Sequence, residues 1–155
     1  MNGFLLDRRI LSQGVSSARR DKRSEISYDF AMRTYILAGI SVILLFVGNA
    51  MGEWWGFYDS VNGYDNPMHL LGGFAVGMLA LAVLQSFKTI NIPVKYQKIL
   101  VITWVVIVSV AWEFIEIKYT GSGNPFGTMG YWLDTSKDFL CDLVGAVVAT
   151  LTIRV

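Results

Sequence analysis

Thr34 to Gly52 is a run of 19 residues without a charge, bounded by Arg33 and Glu53. About 20 mostly apolar residues in helical form cross the ~30 Å hydrocarbon layer of a bilayer, so this run restricts the chain to folds that live in lipid. A second run, Asn66 to Phe87, is 22 residues long, and His69 is its one ionisable side chain. Ile99 to Ile117 supplies a third, with 14 charge-free residues before Glu113, and it reaches full length only by including Glu113 and Glu116. Composition agrees: 54% of the residues are hydrophobic and 16% charged, against about 25% charged in soluble domains.

The fourth segment is harder to assign. Only 11 residues separate Asp142 from Arg154, about half a bilayer at ~1.5 Å per residue. A full fourth span must therefore begin near Asp134 and carry Asp138 and Asp142 with it. The alternative is three spans and a half-inserted C-terminal helix. The expected fold is an all-α membrane protein, a four-helix bundle with transmembrane spans near 34–52, 67–87, 99–117 and 135–153. A basic cytoplasmic arm covers 1–33. Phe4, Leu6, Ile10 and Leu11, beside Arg8 and Arg9, suit either a short helix on anionic lipid or a solvated arm. No secretory signal is read in it.

Basic residues orient the spans. Seven precede the first span, Lys88, Lys95 and Lys98 lie between the second and third, and Arg154 follows the fourth; Lys118 and Lys137 fall on the other side, a split of eleven to two. The positive-inside rule puts both termini in the cytoplasm of a multi-pass inner-membrane protein. Trp54, Trp55, Tyr58, Tyr119, Tyr131 and Trp132 then fall where an outer aromatic belt belongs, and the glycine-rich stretch Gly121 to Gly130 reads as an outer loop or lid.

The acids show a second asymmetry. Eight of the twelve (Glu53, Asp59, Asp65, Glu113, Glu116, Asp134, Asp138, Asp142) fall outside or in the outer half of a span. Asp65 and His69 are four apart, Glu113 and Glu116 three apart, and Asp134, Asp138 and Asp142 step by four, so each set shares a helix face. Below them Gly73 and Gly77, and Gly145, Ala146 and Ala149, form small-residue stripes of the kind that pack helix on helix. A charge at membrane depth costs ~2.5–3.5 kcal/mol even on the lenient insertion scale, so these carboxylates must be protonated, paired with a cation or wet. Each has a plainer reading. Asp65, before Pro67, and Asp134, before Thr135 and Ser136, suit helix caps or an outer shell. Glu113 and Glu116 suit an interface with Lys118 beside them, and His69 an interhelical hydrogen bond.

One cysteine, Cys141, and one histidine exclude an intrachain disulfide, CxxC sites and HExxH zincins. A net charge of +1 argues against nucleic acid as a partner. Carboxylates with one imidazole are hard ligands suited to Mg²⁺, Mn²⁺, Ca²⁺ or Zn²⁺. The metal-ligand assignment is His69, Glu113, Asp138 and Asp142, with Glu116 as catalytic base or in the outer shell and a divalent metal as cofactor. This supports a metal-dependent, hydrolase-like activity on a lipid or amphiphile at the outer leaflet. Two other readings remain open: a proton- or ion-linked transporter, and a non-catalytic subunit of a larger membrane complex or homo-oligomer, for which Gly48-x-x-x-Gly52 is a packing face.

The strings Asp65-Asn-Pro-Met-His69, Trp112-Glu113-Phe-Ile-Glu116 and Asp138-Phe-Leu-Cys-Asp142-Leu-Val-Gly145-Ala146 resemble an uncharacterised bacterial inner-membrane family that includes YjdF. More distantly they are similar to VanZ-like proteins, some of which are linked to glycopeptide resistance. The resemblance covers residues 65–146. Glu116 stands where the VanZ-like pattern has glutamine, and Asp142 where it has asparagine; both departures favour the YjdF-like side. The resemblance implies a site without naming a substrate.

Overall fold

A computed structural model describes the backbone of residues 3–87, 92–119 and 125–153, and the side chains of 28–87, 92–118 and 125–153. It is helical, with α1 (Gly3–Trp54), α2 (Phe57–Ser60), α3 (Asp65–Ser86), α4 (Val94–Tyr119) and α5 (Met129–Leu151) in order. The chain forms two compact units, 1–33 and 34–155. The first contributes the N-terminal part of α1; the side chains expected on a lipid-facing helix there, Phe4 to Leu11, lie outside the described residues.

Among the described residues three helical segments are long and apolar enough to cross a membrane: Tyr28–Trp54, Asp65–Ser86 and Val94–Lys118. The protein is therefore read as a multi-pass membrane protein. α5 has the length, at 23 residues, but Asp134, Lys137, Asp138 and Asp142 dilute its apolar character.

Local chemistry sets the helix starts. Gly63 takes a left-handed backbone (φ 76°) between α2 and α3, a conformation that costs glycine nothing. Pro67 lies in the first turn of α3, where no intrahelical N–H is required of it. The residue preceding α3 is Tyr64, which makes no side-chain cap; Asp65 is thus inside the helix rather than a cap. Thr128 caps α5, its hydroxyl oxygen accepting from the Tyr131 amide at 3.3 Å. α5 accordingly starts about six residues earlier than expected, and Asp134 is an interior residue, not a cap.

α3 and α5 form the closest pair. A Cβ on Gly73 would overlap the Asp142 backbone, one on Gly145 would overlap the Leu70 carbonyl, and one on Gly77 would stand 2.8 Å from Ala149 Cβ. The two small-residue stripes therefore meet, backbone against backbone. Met78, Leu81, Val101, Ala149, Ile153 and Ala38 form the buried core.

The 34–54 part of α1 is tied to this core at both ends. Tyr35 Oη donates to the Ala82 carbonyl at 3.2 Å, and Gln85 Nε2 donates to Thr34 Oγ1 at 3.2 Å. At the other end Tyr64 Oη donates to the Gly48 carbonyl at 2.8 Å, and Tyr58 Oη donates to Asn49 Oδ1. Gly48 is covered by the Met68 thioether and Gly52 by the Tyr58 ring. The Gly48-x-x-x-Gly52 positions are thus filled within the chain.

Candidate metal centre

The N-terminal turns of α3, the last turns of α4 and the first half of α5 meet at one end of the 34–155 unit. α3 brings Asp65 and His69, α4 brings Glu113 and Glu116, and α5 brings Asp134, Asp138 and Asp142. His69 stands at the centre, 7% exposed. Its Nε2 lies 3.5 Å from Asp65 Oδ1 and 4.0 Å from Asp138 Oδ1. On the opposite edge Nδ1 lies 3.4 Å from Asp142 Oδ2.

These contacts divide the expected ligands. Asp142 is at the far ring nitrogen from Asp65 and Asp138, so it and they cannot ligate one ion together with a single imidazole nitrogen. With the proton on Nδ1, the ring donates to Asp142 and turns its Nε2 lone pair toward Asp65 and Asp138. That is the arrangement in which a carboxylate orients a ligating histidine. Asp142 and Asp65, expected as ligand and as cap or outer shell, thus lie at opposite ring nitrogens, and it is Asp65 that shares Nε2 with Asp138.

Ligand atoms of Asp65, His69 and Asp138 all lie within 4.8 Å of one another, and so do those of His69, Glu113 and Glu116. Asp138 is 3% exposed, and its Oδ1 is buried without a hydrogen-bond partner. Burial without a hydrogen bond costs such an atom ~1–3 kcal/mol, offset here by ion pairing with Lys137 and His69. Thr135 Oγ1 donates to Glu113 Oε2 at 2.8 Å, bonding α5 to α4. Lys137 Nζ donates to Asp134 Oδ1 at 2.6 Å and lies 3.6 Å from Asp138 Oδ1. Asp134 is thereby held by a lysine at the rim. A narrow cleft reaches the cluster, lined by Glu113, Glu116, Ile117, Tyr131, Asp134, Thr135 and Asp138.

Sequence reasoning missed Thr135 and Lys137 as parts of the site. Lys137 was detectable as the i+3 partner of Asp134. Thr135 lies one residue off the Asp134–Asp138 face, and only its contact with Glu113 reveals it.

Residues 22–155 match the model of the family described as predicted membrane protein (DUF2238). The chain belongs to this family. The match covers all of α3, α4 and α5, so every residue of the cluster lies within the DUF2238 region. No curated protein and no solved structure matches the chain.

Tyr58, on α2 outside the spans, is displaced from its ordinary value. Burial first, then the nearby Asp65 carboxylate, pushes its phenol up to about 12.

Proposed function

We propose that this DUF2238 member is a four-span inner-membrane protein, both termini cytoplasmic, that binds a divalent cation among Asp65, His69 and Asp138 and uses it on a lipid or amphiphile at the outer leaflet. The observation that carries the reading is the Asp138 carboxylate oxygen, buried without a hydrogen bond and facing the same imidazole nitrogen as Asp65. A hard cation at that point gives both carboxylates and the Nε2 lone pair a common partner. Asp142 orients the ring from behind. Glu116, beside the cleft, is the base that would take a proton from water, and the cation would supply Lewis-acid polarisation. The YjdF-like resemblance is compatible with this reading, since the residues that carry it are those of the cluster.

A second reading rests on the carboxylates at both ring nitrogens of His69: a doubly protonated imidazolium would satisfy them without metal, as a proton-sharing cluster. One experiment separates the two. Detergent-purified protein is melted with chelator and after addition of Mg²⁺, Mn²⁺, Ca²⁺ or Zn²⁺. An ion at a hundredfold excess over its Kd stabilises by ~2.7 kcal/mol, so chelator lowers Tm and one of the metals restores it. Asp138→Asn abolishes the response and Asp59→Asn, in α2, preserves it. A melting curve indifferent to chelator and to all four metals refutes the metal reading and leaves the imidazolium. If metal binds, release of a water-soluble headgroup from phospholipid vesicles by the loaded protein tests the enzymatic part.

A further inference from the structure

We propose that Lys137 is a tethered counter-ion that stands in for the divalent cation at Asp138 and withdraws to Asp134 when the cation enters; this rests on the metal reading above. Asp134, Lys137 and Asp138 all lie on α5, across the border between the wet rim and the buried cluster. The Lys137 and Asp134 side chains are 40% and 37% exposed, whereas that of Asp138 is 4% exposed. The ammonium therefore has one wet neighbour and one dry one, and it is bound to them unequally. Nζ donates to Asp134 Oδ1 at 2.6 Å and stands 3.6 Å from Asp138 Oδ1, too far for a hydrogen bond. That Asp138 oxygen is buried without a hydrogen bond, and His69 Nε2 is farther still, at 4.0 Å. In the metal-free protein Lys137 thus supplies Asp138 with charge but not with a hydrogen bond.

This inequality decides what a cation must displace. At Asp138 Oδ1 it replaces a coulombic contact alone, because the hydrogen bond from the ammonium goes to Asp134 and survives. Two positive charges repel strongly at contact distance, so the ammonium gives way. Lysine suits the role, being a compact charge on a flexible four-carbon stem. It retreats by rotating side-chain bonds, while the backbone contact of Gly73 with Asp142 keeps the helices where they are. Asp134 is then a positioning residue that acts on the metal position through Lys137. The two residues should have opposite effects on affinity: Lys137→Met removes the competitor, whereas Asp134→Asn removes the anchor and turns the ammonium wholly toward Asp138.

The test titrates Mg²⁺, Mn²⁺, Ca²⁺ and Zn²⁺ calorimetrically into the full-length detergent-purified protein at fixed ionic strength, and carries the tightest binder through the variants. Lys137→Met should lower its Kd about tenfold, the effect of one unit charge at contact range partly screened by solvent. Lys137→Gln, which keeps a polar tip, should follow it. Asp134→Asn should raise the Kd in the parent and have little effect in the Lys137→Met background, since coupled residues are not additive. A Kd that is unchanged or higher in both Lys137 variants overturns the displacement while the single-ion reading stands. An Asp134→Asn effect of equal size in both backgrounds means that Asp134 acts by its own charge, and overturns its role as anchor. No binding of any of the four metals to the parent overturns the metal reading and this inference with it.

Discussion

Gly145→Ala adds one methyl group at the place where α3 and α5 touch. Its Cβ would stand 2.6 Å from the Phe74 nitrogen and overlap the Leu70 carbonyl, and ordinary contact begins near 3.4 Å. Both obstacles are helix backbone, which cannot rotate away as a side-chain tip can. The helices must therefore part by about 1 Å, and small-to-large changes in packed interiors cost ~1–3 kcal/mol, sometimes more. The same displacement carries His69 Nδ1, now 3.4 Å from Asp142 Oδ2, out of hydrogen-bond range. The control is Gly39→Ala, in α1, where an added Cβ meets nothing within 4 Å. Replacing glycine by alanine inside a helix favours folding by ~0.5–1 kcal/mol, so the control should match or exceed the parent. Thermal unfolding in detergent, with and without chelator, reads both effects. Gly145→Ala should melt lower and respond less to chelator. If Gly145→Ala melts with Gly39→Ala, α3 and α5 are not in backbone contact and the site geometry built on that contact is wrong.

Other consequences are open to measurement. Thr135→Val removes the hydroxyl that bonds Glu113; hydrogen bonds to charged groups contribute ~1.5–3 kcal/mol, so Tm should fall, while Ser136→Ala, at an exposed neighbour, should leave it nearly unchanged. Tyr58 should titrate near pH 12, seen as delayed phenolate absorbance that Tyr58→Phe removes. Because its folded-state pKa is raised, its contribution is complete below the ordinary tyrosine pKa of about 10 and is lost as pH rises toward 12; a Tyr58→Phe protein should show a shallower alkaline loss of stability. Cysteines placed at 60 or 123 in a Cys141→Ser background should react with an impermeant maleimide on intact cells, and labelling only after lysis would reverse the proposed orientation.

The apolar spans are legible because bilayer thickness translates directly into run length: the 34–52 and 99–117 expectations fall within α1 and α4, and 67–87 overruns α3 by the single residue Phe87. The start of α5 is not legible from run length, because Thr128 and the Tyr131 amide decide where the helix begins. Helical spacing grouped the acids by face, and the Gly73–Gly77 and Gly145–Ala149 stripes pointed them inward. Spacing says nothing of which edge of an imidazole a carboxylate reaches, so it does not separate Asp142, at Nδ1, from Asp65 and Asp138, at Nε2. Gly48 and Gly52 show the converse limit: a small-residue face announces close contact, but whether Met68 and Tyr58 or another chain fills it depends on how the α2 turn folds back.

The backbone contact between Gly73 and Asp142, and between Gly145 and Leu70, makes the α3–α5 pair a stiff gauge. Side chains that separate helices can yield by changing rotamer; main chain against main chain has almost no compressible layer. Asp65 and His69 ride on one bar of the gauge and Asp138 on the other, so the gap that the proposed ion would meet is set by helix geometry rather than by the ion. Mg²⁺ requires ~2.0–2.1 Å to its oxygens and Ca²⁺ ~2.3–2.6 Å. A site that cannot breathe sorts such ions by radius before charge, and its preference should be steep for size and shallow for chemistry.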